Sequence, residues 1–268
     1  MTFARHRLAT ITLAAGMALA APGAFAQAFD AVRLSGAAPG TDGGSVGAAL
    51  IATYQYQGSD KRRTLVLPVL DYQWANGWFA GVGNGIGYNF SSSSQTQYGL
   101  RLTADPGRKQ HRASALQGMG DVDPAGELGA FFNLALPRGL ALSSSVRRGA
   151  GVDNKGVVVD LGLSYSTEIA PKWYLSAGSG VTYANAHYMQ TYFGVSQAQS
   201  VASGIAVYSP GAGARDVRTR LALTYSIDRT TAVTTVLSTT SLLGEARDSP
   251  IVRKRTFGSG VVAVTYAF

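Results

Sequence analysis

The chain has 268 residues, of which 46% are hydrophobic and 14% charged, a balance that excludes an intrinsically disordered protein. It carries 33 glycines, 13 tyrosines and no cysteine, which excludes disulfide frameworks, cysteine-based zinc sites, iron–sulfur clusters and thiol nucleophiles. The formal net charge of +8 raises nucleic-acid binding as a question to be settled by where the basic residues fall.

Residues 1–26 have the pattern of a secretory signal peptide. Arg5, His6 and Arg7 form a basic start, residues 8–21 are uncharged, and Ala24-Phe25-Ala26 supplies a small-x-small cleavage site before Gln27. The uncharged stretch falls short of the roughly 20 residues that span a bilayer as a helix. Cleavage is therefore expected, leaving 21 basic and 15 acidic residues, net +6, in a mature chain of 242 residues forming one domain, 27–268. Beyond Ala26 no segment reads as a transmembrane helix; residues 72–100 lack charge but are full of Gly, Asn, Ser and Gln.

In chain order, strands are predicted near 44–57, 62–74, 77–90, 94–105, 125–136, 138–149, 156–168, 172–185, 214–227, 230–242 and 256–268. That makes eleven, whereas single-chain bacterial barrels have even counts. A weak run at 29–35 supplies a twelfth; merging the ambiguous 65–74 region gives ten instead. The strands alternate with period 2: Val157, Val159, Leu161, Leu163 and Tyr165 share one face, with Asp160, Gly162, Ser164 and Ser166 on the other. In 217–227, Val217, Leu221, Leu223, Tyr225 and Ile227 oppose Arg218, Arg220, Thr224 and Ser226.

The small, polar face lacks the Lys and Glu cover of a water-washed sandwich. The apolar face often ends in aromatics: Tyr54 and Tyr56, Trp173 and Tyr183, Tyr225, and Tyr266 with Phe268. This division predicts an all-β, transmembrane antiparallel β-barrel of about twelve strands, with aromatic girdles at the lipid interfaces. The last strand places Val262, Val264, Tyr266 and the terminal Phe268 on one face, an expected signal for the outer-membrane barrel assembly machinery. With the signal peptide, this points to the outer membrane of a Gram-negative cell.

Counting back from a periplasmic C-terminus, the short connections 227–230, 168–172 and 136–139 become periplasmic, and the long ones, 106–124, 186–213 and 244–255, external. Within 186–213, Ser196 and Gln199 form a capping-box signature and Gly204 suits the position past a helix end, predicting a short helix at 197–203 against the barrel mouth.

Tests for chemistry are negative. Gly83-Asn84-Gly85-Ile86-Gly87 lacks the strand-then-helix setting of a dinucleotide fingerprint and is assigned to a single strand, with Gly81, Gly83, Gly85 and Gly87 on one face. The mature histidines, His111 and His187, fall in or beside external loops, neither near a glycine-flanked serine. Asp105, Asp121, Asp123, Glu245 and Asp248 have no metal-ligand spacing. No catalytic residue, cofactor or metal site is expected.

By alternation Arg101, Glu127, Arg147, Asp160, Arg218 and Arg220 point into the lumen, where charges either line a conducting path or pair across it and fill it. Other basic groups, Lys61-Arg62-Arg63, Arg108-Lys109 with Arg112, Arg147-Arg148 and Arg253-Lys254-Arg255, lie near strand ends, where anionic lipid or lipopolysaccharide headgroups are the expected partners. The coherent patch of a nucleic-acid-binding protein is missing.

The segments YMQTYFGVSQAQSVASG (188–204) with Tyr208, Ser241-Leu242-Leu243-Gly244, and Asp248-Ser249-Pro250-Ile251-Val252 resemble the MipA/OmpV family of outer-membrane proteins. So do Tyr56-Gln57-Gly58-Ser59-Asp60, Leu67-Pro68-Val69-Leu70-Asp71-Tyr72, Gly85-Ile86-Gly87-Tyr88-Asn89 and Gly118-Met119-Gly120-Asp121-Val122-Asp123. The likeness covers the mature chain in order. Gln57 departs from it, standing where the family often has an aromatic or acidic residue. The resemblance implies an outer-membrane barrel with no catalytic residues. It also implies a scaffold that brings a lytic transglycosylase together with a penicillin-binding protein, other members being porin-like or adhesive.

Overall fold

The computed structural model describes residues 40–149 and 155–268. The expected signal peptide and the weak run at 29–35 lie outside these described residues. Twelve antiparallel strands close into a barrel in up-and-down order, each paired with its sequence neighbours and the first with the last. They are β1 (Gly43–Tyr54), β2 (Arg62–Gln73), β3 (Trp78–Gly81), β4 (Gly85–Asn89), β5 (Thr96–Asp105) and β6 (Ala125–Ala135), then β7 (Leu140–Gly149), β8 (Val157–Ala170), β9 (Trp173–Ala184), β10 (Gly213–Ser226), β11 (Thr231–Leu242) and β12 (Thr256–Ala267).

Twelve strands arise without the 29–35 run. The single strand expected at 77–90 is a hairpin: β3 and β4 fold back on each other at 82–84, with Gly81 paired to Gly85. Gly85 takes φ +77°, a left-handed turn conformation that a side chain resists.

Outside the barrel, Leu70, Ile86, Leu100, Leu102, Leu128, Leu161, Leu163, Leu221, Leu237, Val262 and Val264 are all exposed. Such a continuous aliphatic band is stable only against lipid. At the rim holding both barrel termini the connections are short, 74–77, 90–95, 136–139, 171–172 and 227–230; this is the turn rim. Rings pack along it: Tyr72 edge-on to Trp74 at 4.8 Å, Trp78 edge-on to Tyr88 at 5.5 Å, and tilted contacts of Tyr88 with Phe90 at 5.2 Å and of Trp173 with Tyr225 at 4.7 Å. All of these but Phe90 are Tyr or Trp, amphipathic rings suited to the headgroup level.

The opposite rim, the loop rim, carries a folded lid. Helix α1 (Ala186–Phe193) is capped by Asn185, whose side chain accepts from the Tyr188 N–H. Helix α2 (Gln197–Ser203) has both halves of its capping box and ends at Gly204 with φ +72°. It does not lay its apolar residues on the mouth: Val201 is 80% exposed, and the helix is held instead by Gln199, which donates to the Met119 carbonyl at 2.6 Å. A third helix, α3 (Gly244–Asp248), buries Ala246.

Tyr56 is not part of a girdle. It packs with Ala113, Ala115, Leu116, Met119, Val195 and Ile251 in the lid's apolar core, and its hydroxyl donates to the Ile251 carbonyl at 2.8 Å. Burial pushes this phenol up to about 12 from its ordinary value of 10.0. With the folded value above the unfolded one, its contribution to stability is complete below about pH 10 and is lost as the pH climbs toward 12. A spectrophotometric titration comparing wild type with Tyr56→Phe is expected to show one tyrosine missing from the late phase near pH 12. A loss from the main phase near pH 10 would contradict the buried clasp.

Candidate functional site: the lidded lumen

Pairing register places the lumenal charges in adjoining rows. Arg101 on β5, Gly129 on β6 and Arg147 on β7 stand side by side. Gly129 has no side chain to compete with the two arginine stems that flank it. The next row holds Ser145, Asp160 and Thr182, and Thr182 in turn lies opposite Asp216 on β10.

Two forks result. Arg147 reaches Glu127 at 2.6 Å and Asp160 at 3.3 Å, while Thr182 donates to Asp160 at 2.7 Å and Thr103 to Glu127 at 3.4 Å. In the second fork Asp216 accepts from Arg215 at 2.5 Å and Arg218 at 2.7 Å. Glu127, Asp160, Asp216, Arg215 and Arg218 are buried, and Arg101 is only 2% exposed. Arg220 lies half-buried one residue pair farther along β10, opposite Ser238. Val262, Val264, Tyr266 and Phe268 are all exposed on the outside of β12 and its end.

Arg215 and Asp216 were not among the sequence candidates. Arg215 occupies a break in register between Ala214 and Asp216, which lets two consecutive residues both turn inward. Strict alternation does not anticipate that.

The lid joins the second fork. Arg215 donates to the Tyr188 hydroxyl at 2.8 Å, and its guanidinium lies 5.2 Å from the Tyr188 ring centre. Tyr188 stacks on Tyr192 at 4.6 Å, and the Tyr192 hydroxyl donates to Asp105 at 2.5 Å. Burial raises both phenols, and the Asp105 carboxylate raises Tyr192 further, so both stay protonated, Tyr188 accepting from Arg215 and Tyr192 donating to Asp105. Arg108, 4% exposed, donates to the Tyr192 carbonyl at 2.8 Å. Thus Arg63, Arg108 and Arg147 turn inward rather than lying on the headgroup-facing surface. Lys61, Arg62, Arg253, Lys254 and Arg255 are exposed at the loop rim.

Nearer the turn rim the interior is filled. Phe79 meets Phe131 edge-on at 5.8 Å, Thr224 meets Thr234 at 3.0 Å and Ser166 meets Ser176 at 2.7 Å. On the β12–β1–β2 side Ala49, Ile51, Val69, Val261 and Ala263 form an apolar cluster flanked by Leu65 and Leu67. Between this filling and the lid remains a cavity of about 290 Å³, lined by Arg63, Arg108, Arg112, Arg147, Arg215 and Arg218 together with aromatic rings. Among the described residues, Asp105 is the one acidic residue that lines it.

His111 and His187 are both exposed. Among the described residues no cluster of His, Asp or Glu has the geometry to hold a metal ion.

A ring of twelve paired strands with an aliphatic exterior, an aromatic belt and an ion-paired interior defines a lipid-embedded β-barrel of the outer-membrane type. The chain belongs to the MipA family: residues 46–268 match the family described as MltA-interacting protein MipA. No curated protein matches the chain in sequence. Among solved structures it is similar to the KdgM porin, at 10% identity over 84% of this chain and 99% of that one, TM-score 0.45. It is also similar to the NanC porin, at 9% identity over 83% and 98%, TM-score 0.48.

Proposed function

We propose that the protein is a non-enzymatic scaffold in the Gram-negative outer membrane for peptidoglycan-remodelling enzymes. The observation that carries this reading is the obstructed lumen: the Phe79–Phe131 pair and the apolar cluster around Ala49, Ile51 and Val261 fill it toward the turn rim, and a folded lid covers the other end. A barrel filled in this way serves better as a membrane anchor than as a solute path. The family's description names interaction with MltA. The likeness of residues 188–204 and 248–252 to that family extends the expectation to a lytic transglycosylase and a penicillin-binding protein.

In this reading the turn rim faces the periplasm and the lid faces outward, its exposed basic residues meeting lipopolysaccharide. The docking surface is then the set of short turns, among which Arg138, Lys172 and Arg229 offer positive charge.

Immobilised full-length protein in detergent is expected to retain both classes of murein enzyme from a membrane extract, and an Arg138→Glu, Arg229→Glu variant to retain severalfold less. Recovery of neither enzyme by an intact barrel would overturn the scaffold. Steady conductance in a planar bilayer would favour the narrow porin-like channel instead.

A further inference from the structure

The barrel wall is incomplete on one side. The β3–β4 hairpin is short, and its pairing with β2 stops at Asp71 and Gly81, extended only by the Val82 N–H bonding the Leu70 carbonyl. On the other flank, β4 meets β5 only between Asn89–Gly99 and Ile86–Leu102. Residues 62–69 of β2 and 103–105 of β5 therefore have no strand partner on the sides that face each other, although both are fully paired behind, to β1 and β6. The result is a notch in the wall above the hairpin tip, opening toward the loop rim. Pro68, with no N–H to offer, sits in the unpaired stretch, where an edge strand tolerates it.

The notch leads into the cavity. The hairpin-tip residues Val82, Gly83 and Gly85, Arg63 of β2 and 103–105 of β5 all line the same 290 Å³ space as the lid arginines. Above, the cavity is roofed by α1, whose Tyr188 and Tyr192 line it, and by Tyr56, Arg108 and Arg112 of the lid.

The lips and the interior differ in chemistry. Val66, 71% exposed, stands with Val82 and Leu102 on the lipid side of the notch, while the space behind them is lined by six arginines and one aspartate. The Nε groups of Arg63 and Arg108 are buried without a hydrogen-bond partner among the described residues. A guanidinium with a buried, unused Nε–H stands ready for an acceptor, whether the residue is buried, as Arg108 is, or half-buried, as Arg63 is.

We propose that the lidded cavity is a binding site for a single-chain anionic amphiphile that enters sideways from the loop-rim leaflet through the notch. The carboxylate or phosphate head engages Arg63 and Arg108, and the alkyl chain lies across Val66, Val82 and Leu102 into the lipid. A small dissolved anion matches only the arginines and a neutral lipid only the lips. The unpaired backbone edge would be costly against bare hydrocarbon and is instead satisfied by water and the polar head. This site is independent of the scaffold reading, because it lies at the opposite rim from the turns.

The test uses full-length protein in nanodiscs and the fluorescent carboxylate 11-(dansylamino)undecanoic acid. Saturable binding is expected, with at least tenfold loss for its methyl ester and for Arg63→Met. Arg108→Gln is expected to weaken it similarly, and Gly83→Trp, which adds bulk at the hairpin tip and leaves all six arginines in place, to slow uptake at least tenfold. Each variant is compared only if it keeps the heat-modifiable mobility of the folded barrel. Competition by oleate and by dodecyl phosphate identifies which head is preferred, both supporting the site. Equal binding of acid and ester, equal competition by inorganic phosphate and dodecyl phosphate, or wild-type behaviour of both Arg63→Met and Gly83→Trp would overturn it.

Discussion

Replacing Asp216 by alanine is expected to destabilise the folded barrel by about 3–5 kcal/mol, the usual cost of leaving buried charge without its partner. Asp216 is fully buried and accepts from two arginines at 2.5 and 2.7 Å, with a further contact to Arg218 at 3.4 Å. Removing it leaves Arg215, itself 2% exposed, facing Arg218 with no anion between them. The loss should appear as a lower urea midpoint in detergent and as heat-modifiable mobility vanishing at lower temperature. A three-residue replacement, Asp216→Leu with Arg215→Met and Arg218→Met, removes charge and counter-charge together and is expected to recover most of the stability. If Asp216→Ala unfolds at the wild-type midpoint, the fork is solvated and contributes nothing.

The second large effect is expected at Phe79. The ring is buried, meets Phe131 edge-on at 5.8 Å and lies over Gly87, the residue paired with Phe79 across the hairpin. Because β3 and β4 are only four and five residues long, few ladder hydrogen bonds hold this part of the wall, and the ring inside the barrel supplies much of what fixes it. Phe79→Ala is expected to cost about 3–5 kcal/mol by cavity formation and to make proteolysis at 82–84 severalfold faster. Gly87→Leu is expected to do the same by displacing the ring. Unchanged stability and unchanged cleavage in both variants would show that the hairpin stands without this packing.

The strand ladder was legible because lipid and lumen impose opposite demands on alternate residues. Val157 to Tyr165 and Val262 to Phe268 display that contrast without help from the rest of the chain. The capped helix at Gln197–Ser203 was equally local, its box closing within four residues. The β3–β4 hairpin had a local signal that the glycine alternation masked: Asn84-Gly85 is a strong turn dipeptide, and Gly81, Gly85 and Gly87 still share the inner face after the chain reverses. The lid and the Asp216 fork were another matter. Tyr56 finds Ile251, Arg108 finds Tyr192, and Arg215 turns inward through a register break, contacts set by tertiary approach that no periodicity encodes.

The connectivity bears on folding kinetics. Eleven of the twelve strand pairings join sequence neighbours, and only β1 with β12 must bring remote parts of the chain together. Zipping along the meander is therefore locally inexpensive, and the slow, entropically demanding event is that one seam. The lid crosses the same seam: Tyr56 bonds Ile251, Gly58 accepts from Arg253 and Lys254, and the Tyr54 ring meets Phe257. These contacts form only after closure, so they act mainly on the rate of reopening. They make the lid a kinetic lock as well as a roof.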